Sequence, residues 1–238
     1  MFRTGGHRAK WENKVVPGKQ YSLISGLLLV LFLPAESMAA PWVTADSYGS
    51  FQVVVAQDAS ADDKLAAEEF ASYWKQTTGH EIAVANASTT GVKVWIGPKG
   101  VPKALLTGMK LDGLGLDGFH LRTVVGQDGP HLVIVGGSGR GALYGVYHFF
   151  EEYFGVRWLT AEVSHIPNTP PPQLPQIEFR YVPAFEYRDT DYAEPWKDSA
   201  FERVLRLRRP EWGLFAHTAY EFLPPEQYAR DHPEYYSM

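Results

Sequence analysis

The stretch Val133–Leu159, VIVGGSGRGALYGVYHFFEEYFGVRWL, contains the features that decide the predicted fold. It begins with apolar β-branched residues typical of a buried strand and continues through a glycine-rich turn. A helix is then predicted over residues 140–154, and it is apolar nearly all round, which is typical of a buried helix. Gly155 ends this helix, and residues 156–159 are predicted as a short final strand.

The sequence before this stretch predicts a sheet and a second helix. Apolar and β-branched runs predict strands at 51–56, 82–85, 92–96, 118–125 and 131–135. The last two form a hairpin around residues 126–129, and residues 97–116 are predicted as a short helix with loops. Strands with two covering helices predict an α+β fold, arranged as an α/β two-layer sandwich over residues 40–165.

The second helix has clear start and stop signals. Ser60 is a predicted N-cap with Asp63 three residues later, and Gly79 can end the helix in a left-handed conformation. Between them, apolar residues recur at helical spacing and give one buried stripe. The stripe consists of Ala67, Phe70, Ala71 and Trp74.

The first 39 residues are predicted to be a secretory signal peptide. Five basic residues precede the apolar run 23–33, and small residues follow at Ser37, Ala39 and Ala40. The apolar run is shorter than the roughly 20 residues of a membrane span. We expect cleavage after Ala39 and a secreted or periplasmic protein; an uncleaved membrane anchor is the alternative.

Composition excludes several classes of function. The chain has 22 Lys and Arg and 27 Asp and Glu residues, of which the leader holds five and two, so the remainder has a formal net charge of −8. Such a chain is a poor partner for nucleic acid, whose phosphates are bound by Lys and Arg. The absence of cysteine excludes disulfides, thiolate chemistry and Cys-ligated zinc.

The turn GSGRGA at residues 137–142 fits the dinucleotide fingerprint G-x-G-x-x-A. No second βαβ unit follows it, so we favour a structural role for Gly137, Gly139 and Gly141, which would let the helix pack closely on the sheet. We expect no cofactor. We also expect no metal, because His120 and His131 are predicted to face each other across the hairpin as a strand pair.

Residues 166–176 are rich in proline and are predicted to be a stiff extended linker. Beyond it, strands are predicted at 177–181 and 185–189. Carboxylates follow that could in principle reach a sugar, although solvated loop acids are the commoner case. They are Asp189, Asp191, Glu194, Asp231 and Glu234.

Several of these segments resemble the N-terminal domain of alpha-glucuronidases, a domain type that also precedes the barrel of family 20 hexosaminidases. The tail HPEYYSM at 232–238 is most similar to large exported proteins in which this domain precedes one of unassigned function. The resemblance rests on AAEEF at 66–70, YW at 73–74, TG at 78–79, VWIGP at 94–98, GFHLR at 118–122 and the stretch 133–159.

This resemblance implies a zincin-like accessory domain without metal, which packs beside a catalytic (β/α)8 barrel. Residues 185–189 would then be the first barrel strand, and Arg188, with Tyr187 and Asp189, would bind substrate. Asp189 stands where the family usually has glycine. A barrel takes about 250 residues, so we expect residues 177–238 to be its truncated beginning, without catalytic residues. We also expect residues 176–238 to be poorly ordered or aggregation-prone in isolation.

The expected function is therefore the non-catalytic part of an exported glycoside hydrolase that degrades polysaccharides such as xylan, with carbohydrate as the partner. This chain alone is expected to be inactive. A carbohydrate-binding module and, with less support, a nucleotide-binding protein are the alternatives.

Overall fold

The computed structural model describes residues 41–50, 52–86, 91–209 and 219–236. The predicted signal peptide lies outside these residues. Among the helices that are described, none combines the length and the apolar character needed to cross a membrane.

The described residues contain short strands and helices of very different lengths. The strands are β1 Val43–Thr44, β2 Gln52–Val55, β3 Val84–Ala85, β4 Lys93–Ile96, β5 Phe119–Gly126, β6 Gly129–Gly136, β7 Arg157–Trp158, β8 Ser164–His165, β9 Gln173–Leu174 and β10 Glu178–Tyr181. The helices are α1 Ala61–Thr78, α2 Lys103–Leu106, α3 Gly141–Tyr153, α4 Ala193–Lys197, α5 Ser199–Val204, α6 Ala219–Phe222 and α7 Pro225–Tyr228.

Six of the strands form one mixed sheet in the order β10-β5-β6-β4-β2-β3. Strands β3, β2, β4 and β6 run parallel to one another, while β5 is antiparallel to both β6 and β10. The predicted hairpin is present, with Gly126 paired to Gly129 at its tip. The mixed sheet and its helices confirm the predicted α+β class.

The sheet has a different core on each face because side chains alternate along a strand. Val53, Val94 and Ile134 belong to the larger core, which includes buried residues of α1 and α3. Their neighbours Val54 and Trp95 belong to a smaller core beneath α2 and its flanking loops. The two long helices therefore lie on one face of the sheet.

Helix α1 begins and ends as its sequence predicts. The Ser60 side chain accepts a hydrogen bond of 3.0 Å from the backbone N–H of Asp63. At the other end Gly79 has a φ of 78°, and its N–H donates to the Lys75 carbonyl at 2.8 Å. This left-handed conformation suits glycine, which has no Cβ.

The predicted linker is partly ordered against the first domain. Leu174 and Ile177 are buried, and β9 pairs with β1. Proline lacks a donor, but its carbonyl still accepts: Pro172 O binds the Ala45 N–H at 2.9 Å and Pro171 O binds the Tyr48 hydroxyl at 2.7 Å. The prolines therefore contribute to the fold as acceptors.

The strand predicted at residues 177–181 is present as β10, but its place is different from the predicted one. It pairs with β5 as the edge strand of the six-stranded sheet, with Glu178 opposite Arg122 and Tyr181 opposite Phe119. Their predicted place at the start of a barrel is therefore not confirmed: β5 offers an edge within the first domain, and β10 pairs with that edge.

The strand predicted at 185–189 is also wrong. In this segment only Arg188 has a strand partner, through an isolated antiparallel bridge to Arg208. Within the described ranges no closed ring of strands is present. The predicted beginning of a barrel is thus not confirmed.

Candidate ligand-binding site

A buried carboxylate, Asp117, organises the surroundings of Arg188. Its side chain is 2% exposed and lies in the loop that leads into β5. One oxygen accepts from Arg188 Nη2 and Arg208 Nε, both at 2.6 Å, and the other accepts from Arg208 Nη2 at 2.5 Å. The Arg208 contact is bidentate, which is the strongest form of this pairing.

The backbone bridge between Arg188 and Arg208 brings the two guanidinium groups together. Each residue's N–H donates to the other's carbonyl at 2.8 Å, so both side chains reach the same carboxylate. Burial by itself raises the pKa of Asp117, but the hydrogen bonds and charges of Arg208 and Arg188 together lower it. Asp117 is therefore ionised, and we call these three residues the arginine clasp.

Most donors of Arg188, the predicted substrate-binding arginine, are engaged inside the protein. Besides Asp117, its Nε donates to Arg206 O at 3.0 Å, and its Nη1 donates to Phe185 O at 2.8 Å and to Glu186 O at 2.9 Å. A guanidinium has five N–H donors, so only one of them is not used by these contacts. Arg188 thus joins segments of the chain.

The other two predicted residues lie apart from the clasp. Asp189 accepts from the Thr190 N–H at 2.8 Å and lies 3.3 Å from Arg209 Nε, whose guanidinium lies over the Trp196 ring. Tyr187 is about half exposed. The three side chains therefore do not converge on one ligand, and their role in binding stays a prediction.

Two pockets flank Arg188. One, of about 230 Å³, lies between the Asp117 loop and residues 182–186. The other, of about 320 Å³, lies between α3, β10 and residues 205–207, and we call it the aromatic pocket. Its walls are Phe119, Tyr144, His148, Phe179 and Tyr181, with Arg188 and Arg206 at its side.

Sequence reasoning missed His148. The available signal was its place in α3, where a histidine interrupts a run of apolar and aromatic residues. Its ring stacks on Phe179, with ring centroids 4.1 Å apart. Burial and the charge of Arg206 lower the pKa of His148, so the imidazole is neutral near pH 7.

The glycine-rich turn packs against the loop that holds Asp117. A Cβ on Gly137 would lie 2.0 Å from Gly115 O, and one on Gly141 would lie 2.2 Å from Gly118 O, so neither position has room for a side chain. A Cβ on Gly139 would lie 3.0 Å from Leu116 O. Close contact between backbones thus accounts for the motif.

The N–H groups of this turn already have partners. Those of Gly137, Ser138 and Gly139 donate to carbonyls of the Asp117 loop at 2.8, 3.0 and 2.8 Å. In a dinucleotide site such groups approach the pyrophosphate. The turn is therefore not arranged to bind a nucleotide.

The predicted pairing of His120 with His131 is wrong, because His120 lies opposite Val135 and His131 lies opposite Val124. Each ring accepts a backbone hydrogen bond of 3.1 Å through Nδ1, His120 from Lys110 and His131 from Lys93. In the part of the chain that the structure describes, no group of three or more potential ligands could hold a metal ion.

Comparison with protein families divides the chain into two parts. Residues 44–149 match the family model described as the N-terminus of glycosyl hydrolase family 67. Residues 158–238 match DUF4838, a domain of unknown function. Among curated proteins, no significant match is found.

Several solved structures are similar to part of the chain. A family 115 4-O-methyl-alpha-glucuronidase with specificity for decorated arabinogalactans is 14% identical, with a TM-score of 0.39 over 59% of this chain and 18% of that one. A family 20 beta-N-acetylhexosaminidase from Streptomyces coelicolor A3(2) is 16% identical, with a TM-score of 0.39 over 63% of this chain and 25% of that one. An N-acetyl-beta-hexosaminidase from Streptomyces plicatus is 17% identical, with a TM-score of 0.34 over 58% and 23%. This chain thus spans a quarter or less of each of these structures.

Proposed function

We propose, starting from the identification of residues 44–149 as a glycoside hydrolase N-terminal domain, that this chain is a non-catalytic accessory part of an exported glycoside hydrolase. The observation that carries the proposal is the state of Asp117. It is the buried carboxylate that lines the smaller of the two pockets at Arg188, and its two arginines hold it ionised.

Glycoside hydrolysis ordinarily needs two carboxyl groups, one of which donates a proton and therefore has a raised pKa. Asp117 has the opposite property, because its two arginines lower its pKa. Both of its oxygens also accept short hydrogen bonds, so neither is available as a nucleophile. The clasp is a structural joint.

Carboxyl groups with a raised pKa do occur on α1, where burial raises the pKa of Asp63 and of Glu69. Asp63 lies in the first turn, where its backbone is capped by Ser60 and its side chain packs close to Gly97. Glu69 lies six residues later, near the charge of Arg203. Positions six apart do not share a helix face, so these groups do not form an acid and base pair.

The clasp also suggests what the accessory part does. Asp117 lies in the family 67 segment, whereas Arg188 and Arg208 lie in the segment that matches the domain of unknown function. Their contacts hold the two segments together in a defined orientation. We infer that the first domain supports and positions the part of the protein that follows it.

The proposed substrates are polysaccharides, with an alpha-glucuronidase-like release of uronic acid from xylan-type polymers as the favoured parental reaction. The leader sequence supports export to the periplasm or the cell exterior. The acidic composition of the remaining chain argues against nucleic acid as its partner.

The test is a turnover assay of residues 40–238 on aryl glycosides and on aldouronic acids, with an active alpha-glucuronidase as the positive control. We expect no release of the aryl group or of uronic acid above the rate without protein. Clear turnover that disappears in Glu186→Gln, a variant of the exposed carboxylate in the smaller pocket, would overturn the proposal.

A further inference from the structure

We propose that the aromatic pocket binds one hydroxyl-rich sugar ring, which makes this domain a carbohydrate-binding site in addition to a structural support. The choice of a sugar over other ring compounds rests on the function proposed above. Its volume of about 320 Å³ lies at the small end of ligand pockets and suits a single ring.

The walls offer a preformed apolar surface. His148 and Phe179 are stacked with an interplanar angle of 18°, and Phe119 lies 5.5 Å from the His148 ring and 5.5 Å from the Tyr181 ring. These contacts between rings hold each side chain in one position. The C–H face of a sugar ring can pack on such an aromatic wall.

The pocket also contains nitrogen atoms that lack hydrogen-bond partners. His148 Nε2 and Arg206 Nε are both buried, and neither has a partner among the described residues. A buried polar group without a partner is costly to the protein. Both nitrogens are buried, so contact with a ligand requires the two side chains to rotate.

The chemistry of these groups favours a hydroxyl-rich ligand. Arg206 Nε can only donate, whereas a neutral imidazole has one donor and one acceptor nitrogen. Sugar hydroxyls can donate to one group and accept from the other. The Tyr181 residue at the rim is 40% exposed and can hydrogen-bond a further hydroxyl.

Burial, with the charge of Arg206, lowers the pKa of His148 and keeps it in the neutral form that this binding requires. Arg206 lowers its pKa, as burial does, while Glu151 and Glu152 raise it by less. Glu151 is itself paired with Arg206. Protonation of His148 in acid would remove its acceptor nitrogen and weaken binding of the sugar.

The far wall of the pocket is held in an unfavourable backbone conformation. Arg206 has a φ of 57°, which a residue with a Cβ rarely adopts. The Tyr144 hydroxyl donates to Leu207 O at 3.0 Å, and Arg188 Nε donates to Arg206 O at 3.0 Å. These contacts fix the turn that brings Arg206 against the pocket.

The experiment is calorimetric titration of residues 40–238 with methyl xyloside, glucuronic acid and N-acetylglucosamine, and with cyclohexanol as a ring that carries a single hydroxyl. We expect at least one sugar to bind with a Kd on the order of 1 mM and cyclohexanol to bind more weakly. The NMR signals of the His148 ring should shift during the sugar titration.

The matched variants separate the polar contact from the apolar wall. His148→Phe keeps a ring to stack on Phe179 but removes the nitrogens, and we expect it to weaken sugar binding about tenfold, the worth of one hydrogen bond. Tyr181→Phe should weaken it by a smaller factor. The control is Tyr192→Phe. Tyr192 is the exposed N-cap residue of α4, and its substitution should leave sugar binding unchanged.

The proposal is overturned if no sugar binds, if cyclohexanol binds as tightly as the best sugar, or if folded His148→Phe binds the sugar as tightly as the unchanged protein. If His148→Phe does not fold, Tyr181→Phe decides in its place. None of these results involves turnover, so a failure here is distinct from a failure of the proposed function.

Discussion

The helix-covered core and the segment 182–209 are held in place by different physical interactions. In the core, Phe70, Trp74, Phe149 and Phe150 are completely buried against one another. In the segment, Phe185 and Tyr192 are about three-quarters exposed, and the attachment to the first domain includes the arginine clasp. The core depends on apolar area, whereas the segment combines these directional contacts with the burial of Phe201 and Val204 at the edge of the same core.

This difference has consequences for stability and for specificity. Each large apolar side chain in the core contributes about 1.5–3 kcal/mol through burial. A buried ion pair contributes little net stability, because desolvation offsets much of its attraction, yet loss of one partner is costly. The clasp therefore determines where the segment lies more than how stable the domain is.

The largest expected effect is that of truncating the core, and Trp74→Ala tests it. Trp74 is fully buried, and its ring contacts Tyr48, Phe70 and Phe154. We expect the free energy of unfolding, measured in urea, to fall by about 3–5 kcal/mol through lost burial and a residual cavity. Val125→Ala, at a residue that is 75% exposed, is the control and should change it little. Equal losses in the two variants would contradict a core-dominated stability.

The next effect is local. Asp117→Asn keeps the shape of the side chain but leaves Arg188 and Arg208 without their carboxylate, and we expect a cost of about 3 kcal/mol to the attachment of the segment. Amide hydrogen exchange should accelerate over residues 185–208, while α1 and α3 keep their protection.

The control for this variant is Asp58→Asn, which breaks the exposed pair of Asp58 with Lys99. We expect it to leave hydrogen exchange unchanged, because exposed ion pairs contribute little. If α1 lost protection together with the segment in Asp117→Asn, the two regions would unfold as one unit.

The acid dependence of the segment follows from the same carboxylate. Burial raises the pKa of Asp117, but its two arginines together lower it by more. The pKa in the folded protein therefore lies below the ordinary value of 3.8. The stabilisation is therefore fully present above that value and is lost as the pH falls through the folded pKa. We expect the NMR signals of the Arg188 and Arg208 amides to change in this window. Asp117→Asn should abolish this change of the amide signals with pH. If the signals of that variant still change in the same way, a different titrating group is responsible.

Local sequence patterns predicted the elements of the core. The N-cap at Ser60, the left-handed end at Gly79 and the hairpin turn are each specified by residues within a few positions of one another. Apolar periodicity likewise predicted which face of α1 is buried, since Ala67, Phe70 and Trp74 all lie in the core. Such features depend on backbone preferences and on burial, and both can be inferred from a short stretch of sequence.

The pairing of distant segments could not be predicted in this way. β10 is a four-residue strand whose neighbour β5 begins 59 positions earlier, and nothing within β10 specifies that edge. Asp117 and Arg208 are 91 positions apart, so no spacing marks them as partners. The clasp could not be foreseen for the same reason, and the contact of Arg188 with substrate stays a prediction.

The smallest expected effect is that of removing the helix cap, and it sharpens the comparison by acting on the core without touching its apolar contacts. Ser60→Ala removes the acceptor for the Asp63 N–H, at a cost of about 1 kcal/mol in the free energy of unfolding. Ser72→Ala on the exposed side of the same helix is the control, and it should be neutral or slightly stabilising because alanine favours helix. Because the cap and the clasp share no hydrogen-bond partner, the effects of Ser60→Ala and Asp117→Asn should add in the double variant. The loss of unfolding free energy in the double variant is compared with the sum of the two single losses. A difference of more than about 0.5 kcal/mol would mean that the core and the segment are coupled, and that the clasp also supports α1.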